Sequence, residues 1–350
     1  MNVIRLGEVD IGAGKPPYII AEVGSNHNGD MNLCRQLIDA AALAGADAVK
    51  FQSWTDKSLI AEAEYARNTE YSDKKKHFGS LREMVSTYQL TADQHLEAHA
   101  HCRDRGIAFC STPFSIEEVD LLETLDVPFF KIASMDIVHL PLLRYVARKQ
   151  RPIMISTGMA TLGEIERAVE AVRAEGNQQI ILLHCISIYP PEYEIIHLRN
   201  MAMLQQAFNV PIGFSDHTLG TSIPLAAIAL GACVIEKHFT LDQDMAGWDH
   251  AISADPEQLQ TIVVEGKNIF AALGASERTV STAEMEKRKK FRRSLVVRSK
   301  LSCGHVLTEA DLDTKRPGTG ISPEEIRYVL GRRLNSEVEA DQVLNWSHLQ

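Results

Sequence analysis

Eight short apolar segments recur along the chain, and each is followed by a stretch whose apolar residues have helical spacing. They span residues 17–24, 46–52, 107–112, 127–132, 152–156, 179–184, 210–214 and 233–237. Continuous apolar strands that alternate with helices indicate a parallel sheet whose outer face is covered by helices. Eight such units in about 270 residues predict a closed (β/α)8 TIM barrel, because that fold typically takes roughly 250 residues.

Helix stop signals support this interpretation. The candidate helices over 32–43, 162–174 and 222–230 each end one or two residues before a glycine, the residue that most often ends a helix. A doubly wound open sheet is the alternative α/β fold. It is disfavoured because no GxGxxG turn follows the first predicted strand.

The composition changes near residue 280. Residues 284–293 (EMEKRKKFRR) form a dense run of charges, which is typical of a solvated linker or an exposed helix face. Short β-like segments with glycine turns follow it. We therefore predict a catalytic barrel over residues 1–280, a charged linker over 281–293 and a small β-rich domain over 294–350.

Composition excludes several classes of protein. The formal net charge of -10 argues against a nucleic-acid partner, since phosphate backbones need a basic face. No apolar run approaches the roughly 20 residues that span a bilayer, and residues 1–9 lack the apolar core of a signal peptide. The six cysteines are scattered without a CxxC pair, which is typical of reduced, buried thiols. We therefore expect a cytoplasmic protein.

Polar side chains stand at the end of each predicted strand. In a barrel these ends meet at one mouth, where active sites are built, and polar groups inside a barrel are costly unless they are used or paired. The candidate groups are Glu22, Lys50, Gln52, Thr112, Lys131, Ser134, Ser156, Ser215, His217 and His238. So many polar groups at one end predict a functional site there.

Two lysines in this set, Lys50 and Lys131, suit an oxyanion. Lysine supplies a point charge, and the nearby hydroxyl groups supply directional donors for a phosphate. A Schiff-base lysine is the alternative role. Two lysines among many hydroxyl groups favour anion binding.

Two histidines, His217 and His238, follow adjacent strands and could bind one divalent ion, with Glu22 across the mouth. So few protein ligands would leave positions open for water and substrate, which suits a Lewis acid acting on a carbonyl. Imidazole with oxygen ligands permits Mn, Co, Zn or Mg, and the sequence does not choose among them.

The strings at these strand ends resemble those of the sialic acid synthases. They are EVGSNHNGD (22–30), KFQ (50–52), STPF (111–114), KIAS (131–134), STGMA (156–160), HCISIYP (184–190), GFSDHT (213–218) and EKHFT (236–240). In the tail, RRSLV (292–296) and KRPGTGI (315–321) resemble the small C-terminal antifreeze-like (SAF) domain of that family. The resemblance covers nearly the whole chain.

This resemblance implies a transferase that forms a carbon–carbon bond. Phosphoenolpyruvate condenses with an open-chain N-acyl hexosamine, either N-acetylmannosamine or a diacetamido hexose, to give a nine-carbon 2-keto acid and phosphate. A Mn-like ion on His217 and His238 polarises the aldehyde, and Glu22 is the general acid or base. The implied phosphoenolpyruvate-binding residues are Lys50, Gln52, Thr112, Lys131, Ser134, Ser156 and Ser215.

The resemblance also implies a homodimer with exchanged small domains. The acceptor sugar meets Asp136, Tyr189 and Asp249, together with Arg316 from the partner subunit. The departures from the family pattern lie on this acceptor side. They are Asp136 where a glutamate is common, Ser187 where an asparagine is common, and Trp248 and His250 around Asp249. The sequence therefore supports the reaction type more firmly than the identity of the sugar.

Two other functions remain open at this point. A pyruvate-dependent sugar aldolase would cleave the keto acid through a Schiff base or a metal-bound pyruvate and would need no phosphate. A non-catalytic sugar- or ice-binding protein built around the tail would not need the polar groups at the strand ends.

Overall fold

The computed structural model describes residues 3–72 and 77–350. Its strands are β1 (Ile4–Leu6), β2 (Val9–Ile11), β3 (Tyr18–Gly24), β4 (Ala48–Ser53), β5 (Tyr71–Ser72), β6 (His77–Gly79), β7 (Ala108–Pro113), β8 (Phe130–Ile132), β9 (Ile153–Ser156), β10 (Ile180–Cys185), β11 (Ile212–Asp216), β12 (Val234–His238), β13 (Ser294–Val297) and β14 (Leu312–Lys315). Its helices are α1 (Met31–Ala44), α2 (Glu62–Arg67), α3 (Leu81–Tyr88), α4 (Ala92–Arg105), α5 (Ile116–Thr124), α6 (Leu140–Arg148), α7 (Leu162–Ala174), α8 (Asn200–Phe208), α9 (Ser222–Ala229), α10 (Pro256–Leu273), α11 (Thr282–Phe291) and α12 (Ile326–Val329).

Eight strands form one parallel sheet in the order β7-β4-β3-β12-β11-β10-β9-β8. The two end strands, β7 and β8, also lie against each other, so the sheet curls into a nearly closed barrel surrounded by helices. The predicted (β/α)8 barrel is confirmed, and each of the eight predicted segments contains or overlaps a strand. Strand β8 is shorter than predicted and begins after Pro128, because proline cannot donate to a strand ladder.

Local capping fixes where the helices begin and end. Helix α1 begins where the Asp30 side chain accepts a hydrogen bond from the Asn32 amide, and it ends at Gly45 with a φ of 84°. At α7, Thr161 and Glu164 form a reciprocal capping box. The turns from β3 into α1 and from β9 into α7 are therefore defined by local hydrogen bonds.

The N-terminal end of the barrel is filled by apolar side chains. The antiparallel hairpin of β1 and β2 contributes Ile4, Leu6 and Ile11, and these pack with inward-facing strand residues such as Ile20 and Met154. A second apolar layer lies between the strands and the surrounding helices. Open space within the barrel is therefore confined to its C-terminal end.

The chain makes an excursion after β4 that the sequence did not predict. It includes α2, the β5–β6 pairing and α3. It has a small apolar core of its own, made by Trp54, Tyr65, Leu81, Met84, Val85 and Tyr88. The Trp54 indole donates a hydrogen bond to the Val85 carbonyl over 3.2 Å, which ties α3 to the segment that follows β4.

Contacts divide the chain into two units, Met1–Gly274 and Ala275–Gln350. The second unit begins with α11, which lies within the predicted linker of residues 281–293, and it contains the antiparallel pair of β13 and β14. Its own core includes Leu295, Val297 and Leu334. The α/β barrel is thus followed by a small domain with short antiparallel strands, as predicted.

Among residues 3–72 and 77–350, no helix is long and apolar enough to cross a membrane. All six cysteines lie in this part of the chain and are free thiols. Five are buried as expected, but Cys303 is exposed. It lies in the turn that contains Gly304, whose φ is 82°, so no packed layer covers it.

Candidate active site

A cavity of about 870 Å³ opens at the C-terminal ends of the barrel strands, a volume within the usual range for small-molecule sites. The ten candidate residues at the strand ends line it, together with Tyr189 and Asp249, which the family resemblance implied. They are Glu22, Lys50, Gln52, Thr112, Lys131, Ser134, Ser156, Tyr189, Ser215, His217, His238 and Asp249. The barrel therefore gathers residues from a span of almost two thirds of the chain at one mouth.

Lys50 lies at the centre of one half of this site. Its Nζ is 2.8 Å from Glu22 Oε2 and donates to Thr112 Oγ1 over 3.1 Å. Gln52 Nε2 donates to the other oxygen of Glu22 over 2.7 Å. The Glu22 carboxylate is thereby held between two donors from β4.

Lys131 occupies the other half. Its Nζ donates to Ser156 Oγ over 2.7 Å and lies 3.6 Å from Glu236 Oε1. Ser215 Oγ donates to the same oxygen of Glu236 over 2.9 Å. Because Glu236 Oε2 also lies 3.8 Å from the Lys50 ammonium, this carboxylate links the two lysines.

Burial sets the protonation of these groups. It raises the pKa of Glu22 to about 7, and the nearby charge of Lys50 offsets only part of this rise. Burial favours neutral Glu236 too, but the charges of Lys131 and Lys50 outweigh it and lower the pKa of that carboxyl. Burial lowers the pKa of the Lys131 ammonium. The charges of Glu22 and Glu236, in contrast, outweigh burial at Lys50 and raise the pKa of its ammonium. The pocket therefore combines two lysines with one carboxylate whose pKa is lowered and one that titrates near neutrality.

A glycine lets the backbone approach this pocket closely. A Cβ atom placed on Gly158 would lie 2.3 Å from Ser187 Oγ and 2.7 Å from Ser134 Oγ. The Gly158 amide donates to Ser134 Oγ over 3.1 Å. The turn after β9 therefore contacts the Ser134 hydroxyl closely, and a larger residue at Gly158 would displace the hydroxyls of Ser134 and Ser187.

The two histidines face each other at the outer part of the cavity. The His217 and His238 ring centroids are 5.3 Å apart, and the Tyr189 ring lies 4.0 Å from that of His217. When His217 Nδ1 carries the proton, it donates to the Ile186 carbonyl over 2.7 Å. The ring also hydrogen-bonds the Cys185 side chain, and this contact raises the pKa of the imidazole although burial opposes the rise. A carbonyl bonded to the second ring nitrogen is the usual way in which proteins orient a metal-binding histidine.

This arrangement fits a divalent ion with two protein ligands. The Nδ1 atom of His238 is buried without a hydrogen-bond partner, and burial lowers the pKa of its imidazole well below the usual range, so the ring is neutral and able to donate a lone pair. The part of the chain that the structure describes has no cluster of three or more His, Cys, Asp or Glu suited to a metal. An ion here would keep most of its positions for water and substrate.

The remaining predicted residues are placed differently. Tyr189 and Asp249 line the cavity, and burial raises the pKa of Asp249 to about 6. Asp136 follows the cavity residues Ser134 and Met135, but its side chain is not among the described residues that line the cavity. Arg316 belongs to the unit Ala275–Gln350, where its guanidinium lies 5.2 Å from the Phe291 ring centre.

The sequence argument did not select two groups that line the cavity, Glu236 and Cys185. A signal for Glu236 was present, because alternate residues of a strand face the same side. If His238 points into the barrel, Glu236 does as well. Cys185 was counted among the buried thiols, and its position one residue after His184 did not distinguish it.

Two protein-family models match this chain. The model of the NeuB family matches residues 37–278, and the model of the SAF domain matches residues 292–350. An N,N'-diacetyllegionaminic acid synthase from Campylobacter jejuni is 41% identical over 336 residues, which cover 94% of this chain and 99% of that protein. A pseudaminic acid synthase from Helicobacter pylori is 36% identical over 337 residues, covering 95% and 97%.

A solved structure agrees as well. The N-acetylneuraminic acid (sialic acid) synthetase from Leptospira borgpetersenii, in complex with citrate, superposes with a TM-score of 0.74 at 35% identity and covers 82% of this chain and 95% of its own. The family model spans more than half of the chain, and the relatives are aligned over nearly all of it. The chain therefore belongs to the NeuB family, whose relatives named here are legionaminic, pseudaminic and sialic acid synthases, and it carries a C-terminal SAF domain.

Proposed function

We propose that this protein is a cytoplasmic nonulosonic acid synthase. It joins phosphoenolpyruvate to the open-chain aldehyde of an N-acyl hexosamine, either N-acetylmannosamine or a diacetamido hexose, and yields a nine-carbon 2-keto acid and inorganic phosphate. The observation that carries the proposal is the placement of two buried lysines and two facing imidazoles in one cavity. The free thiols are compatible with a reducing compartment.

Phosphoenolpyruvate suits the lysine half of the cavity. Its phosphate and carboxylate would contact the ammonium groups of Lys50 and Lys131, which are each 3% exposed and are therefore weakly screened. The donors that would complete the site are Gln52, Thr112, Ser134, Ser156 and Ser215. An incoming anion would compete with the ion pairs that Lys50 forms with Glu22 and that Lys131 forms with Glu236.

The condensation itself needs orientation and proton transfer. The methylene carbon of the enol attacks the aldehyde carbon and forms the new bond, which leaves positive charge at C2 of phosphoenolpyruvate. Water adds at C2, and the resulting tetrahedral carbon expels phosphate to form the 2-keto group. Fixing both reactants in one cavity removes most of the entropic barrier to this bimolecular step.

Glu22 is placed to supply a proton. With a pKa raised to about 7 by burial, it is partly protonated near neutral pH, as a general acid requires. We propose that it donates this proton to the aldehyde oxygen as that oxygen becomes a hydroxyl. Gln52 holds the carboxyl in place through its 2.7 Å hydrogen bond.

His217 and His238 would hold a divalent ion, for which we propose Mn, with Mg, Co and Zn also compatible with the ligands. The chemistry that such an ion supplies when bound is Lewis-acid polarisation of the aldehyde oxygen. The 2.7 Å hydrogen bond from His217 to the Ile186 carbonyl orients the ring for this role.

The acceptor sugar would occupy the outer part of the cavity, against Tyr189 and Asp249, with Asp136 near its inner edge. We propose that Arg316 reaches the acceptor from the partner subunit of a homodimer with exchanged small domains. An arginine delivered in this way would orient the acceptor and exclude water.

One assay tests the reaction type. Purified protein with phosphoenolpyruvate, Mn and a panel of N-acylated hexoses should release phosphate in step with a nine-carbon product identified by mass. Product formed equally well from pyruvate would instead indicate an aldolase. Borohydride added with pyruvate should leave the activity intact, because no Schiff base forms on Lys50 or Lys131. A protein that binds the sugars without releasing phosphate would be the non-catalytic alternative.

A further inference from the structure

The strands that carry the two histidines also carry a buried ion pair on their other side. Lys237 Nζ lies 2.8 Å from Asp216 Oδ2, and both side chains have a relative accessibility of 0%. The same ammonium donates to the Thr218 carbonyl, and the Thr218 amide donates to Asp216 Oδ1 over 2.9 Å. Lys237 therefore binds both residues that flank His217.

Strand register places this pair between two pairs of residues that line the cavity, Ser215 with Glu236 and His217 with His238. Ser215 is paired with Glu236, and Asp216 is paired with Lys237 across adjacent parallel strands. Side chains alternate along a strand, so Ser215, Glu236, His217 and His238 face the cavity while Asp216 and Lys237 face away from it. His217 and His238 each come one residue after a member of the ion pair.

Stability alone is a weak reason for such a pair. Removing two charges from water is costly, and apolar residues of similar volume often stabilise a protein as well or better. Here the pair also organises backbone, since it binds both the amide and the carbonyl of Thr218. It thereby fixes the turn that carries His217 relative to the strand that carries His238.

We propose that Asp216 and Lys237 are positioning residues that set the separation and orientation of the His217 and His238 imidazoles and thereby the affinity for the divalent ion. This inference rests on the metal role given to the two histidines under the proposed function. It gives a positioning role to Asp216 and Lys237, which would contact neither the substrate nor the ion.

The test uses the full-length protein and Mn²⁺ alone. The variant Asp216→Asn/Lys237→Met removes both charges at nearly constant volume and keeps an acceptor for the Thr218 amide. The dissociation constant is measured from the electron paramagnetic resonance signal of free Mn²⁺, and Tm is measured on the same samples. We expect roughly 10–100-fold weaker Mn²⁺ binding, the usual effect of removing groups that orient metal ligands, with little change in Tm.

Asp47→Asn is the matched control. Asp47 accepts a 2.7 Å hydrogen bond from the Ile19 amide at the opposite end of the barrel, so this change should lower Tm without altering the Mn²⁺ dissociation constant. If the double variant does not fold, the variant Asp216→Asn/Lys237→Gln decides, because it leaves no unpaired buried charge and keeps a donor for the Thr218 carbonyl, and it should still bind Mn²⁺ more weakly than the wild type. A folded variant that binds Mn²⁺ as tightly as the wild type overturns the inference.

Two results separate this inference from the proposed function. If the wild-type protein condenses phosphoenolpyruvate with an aldehyde but binds no Mn²⁺, the positioning role is wrong and the synthase reaction stands. If it binds Mn²⁺ but forms no product with any hexose, the synthase reaction fails. The dissociation constants then still decide whether the ion pair positions the histidines.

Discussion

The ammonium of Lys50 lies 2.8 Å from the carboxylate of Glu22, and both residues are almost fully buried. Despite this neighbour, burial raises the pKa of Glu22 to about 7. The protonated carboxyl leaves Lys50 free to bind an anion, whereas the ionised form competes for it. Binding of a phosphate-bearing substrate and protonation of Glu22 should therefore favour each other.

The first prediction concerns pH. Since Glu22 acts as an acid, kcat/KM should fall as the pH rises through about 7. Glu22→Gln should lower kcat by roughly 10²–10⁴-fold, the usual contribution of a general acid, and should remove this dependence. Initial rates from pH 5.5 to 9 for both proteins provide the measurement. If the same fall in kcat/KM with rising pH persists in Glu22→Gln, it reflects the titration of another group.

The second prediction concerns His217. His217→Ala should abolish turnover, and added Mn should not restore it, because one of the two imidazoles is missing. His184→Asn is the control, since His184 lies at the end of β10 and bonds the Ile196 carbonyl over 2.6 Å but does not line the cavity. Phosphate release measured with increasing Mn distinguishes the variants. Full activity of His217→Ala would exclude the metal site.

A third prediction concerns Gly158. A methyl group at this position would push against the hydroxyls of Ser134 and Ser187, and displacing a positioning group by about 1 Å can lower the rate by roughly 10²-fold. Gly158→Ala should therefore raise KM for phosphoenolpyruvate and lower kcat. Gly163→Ala is the control, because its nearest neighbour would be Arg167 at 3.7 Å. If Gly158→Ala and Gly163→Ala had the same KM and kcat, the close approach of Gly158 to Ser134 and Ser187 would not matter for activity, and the prediction would be wrong.

The fourth prediction concerns Arg316. Arg316→Ala should raise KM for the acceptor sugar while the dissociation constant for phosphoenolpyruvate stays unchanged, since only the acceptor needs the guanidinium. Arg327→Ala is a matched control, because it also removes an arginine that lies over an aromatic ring, that of Tyr328 at 4.6 Å. Calorimetric binding of each substrate provides the measurement. Equal loss of both substrates would show that the assigned role is wrong.

The fifth prediction tests whether Arg316 acts on the partner's barrel. At acceptor concentrations far below the raised KM of Arg316→Ala, neither this variant nor His217→Ala should be measurably active alone. When the two are unfolded together and refolded as mixed dimers, about one quarter of the wild-type sites should be intact, because half of the dimers are mixed and each has one complete site. Activity that does not return on mixing would place the arginine and the barrel in the same subunit.

The barrel could be predicted because its strands are buried on both faces. Strand β10, for example, is entirely buried, so its sequence reads as a continuous apolar run with a clear end. The excursion after β4 was not predicted, although Leu81, Met84, Val85 and Tyr88 follow the helical spacing i, i+3, i+4, i+7. This apolar face packs in a small core with Trp54 and Tyr65, which lie far from it in sequence, so the spacing alone does not reveal the cluster.

The site was predictable where a polar residue ends an apolar strand, as with Lys50, Lys131 and His217. Glu236 was harder to find because Lys237 and His238 follow it, and a run of polar residues hides which of them face inward. The pairing of Lys237 with Asp216 depends on the register of two strands, which the sequence of either strand alone does not contain.

The N-terminal hairpin covers one end of the barrel with Ile4, Leu6 and Ile11, so the proposed substrates and products would enter and leave at the other end, where the described residues leave the cavity open. The lysines of the site lie deep, each 3% exposed, whereas Tyr189 near the rim is 51% exposed. A sugar seated at the rim would block the way to the lysines. Turnover should therefore follow an ordered mechanism, in which phosphoenolpyruvate binds before the sugar and the nine-carbon acid is released before phosphate.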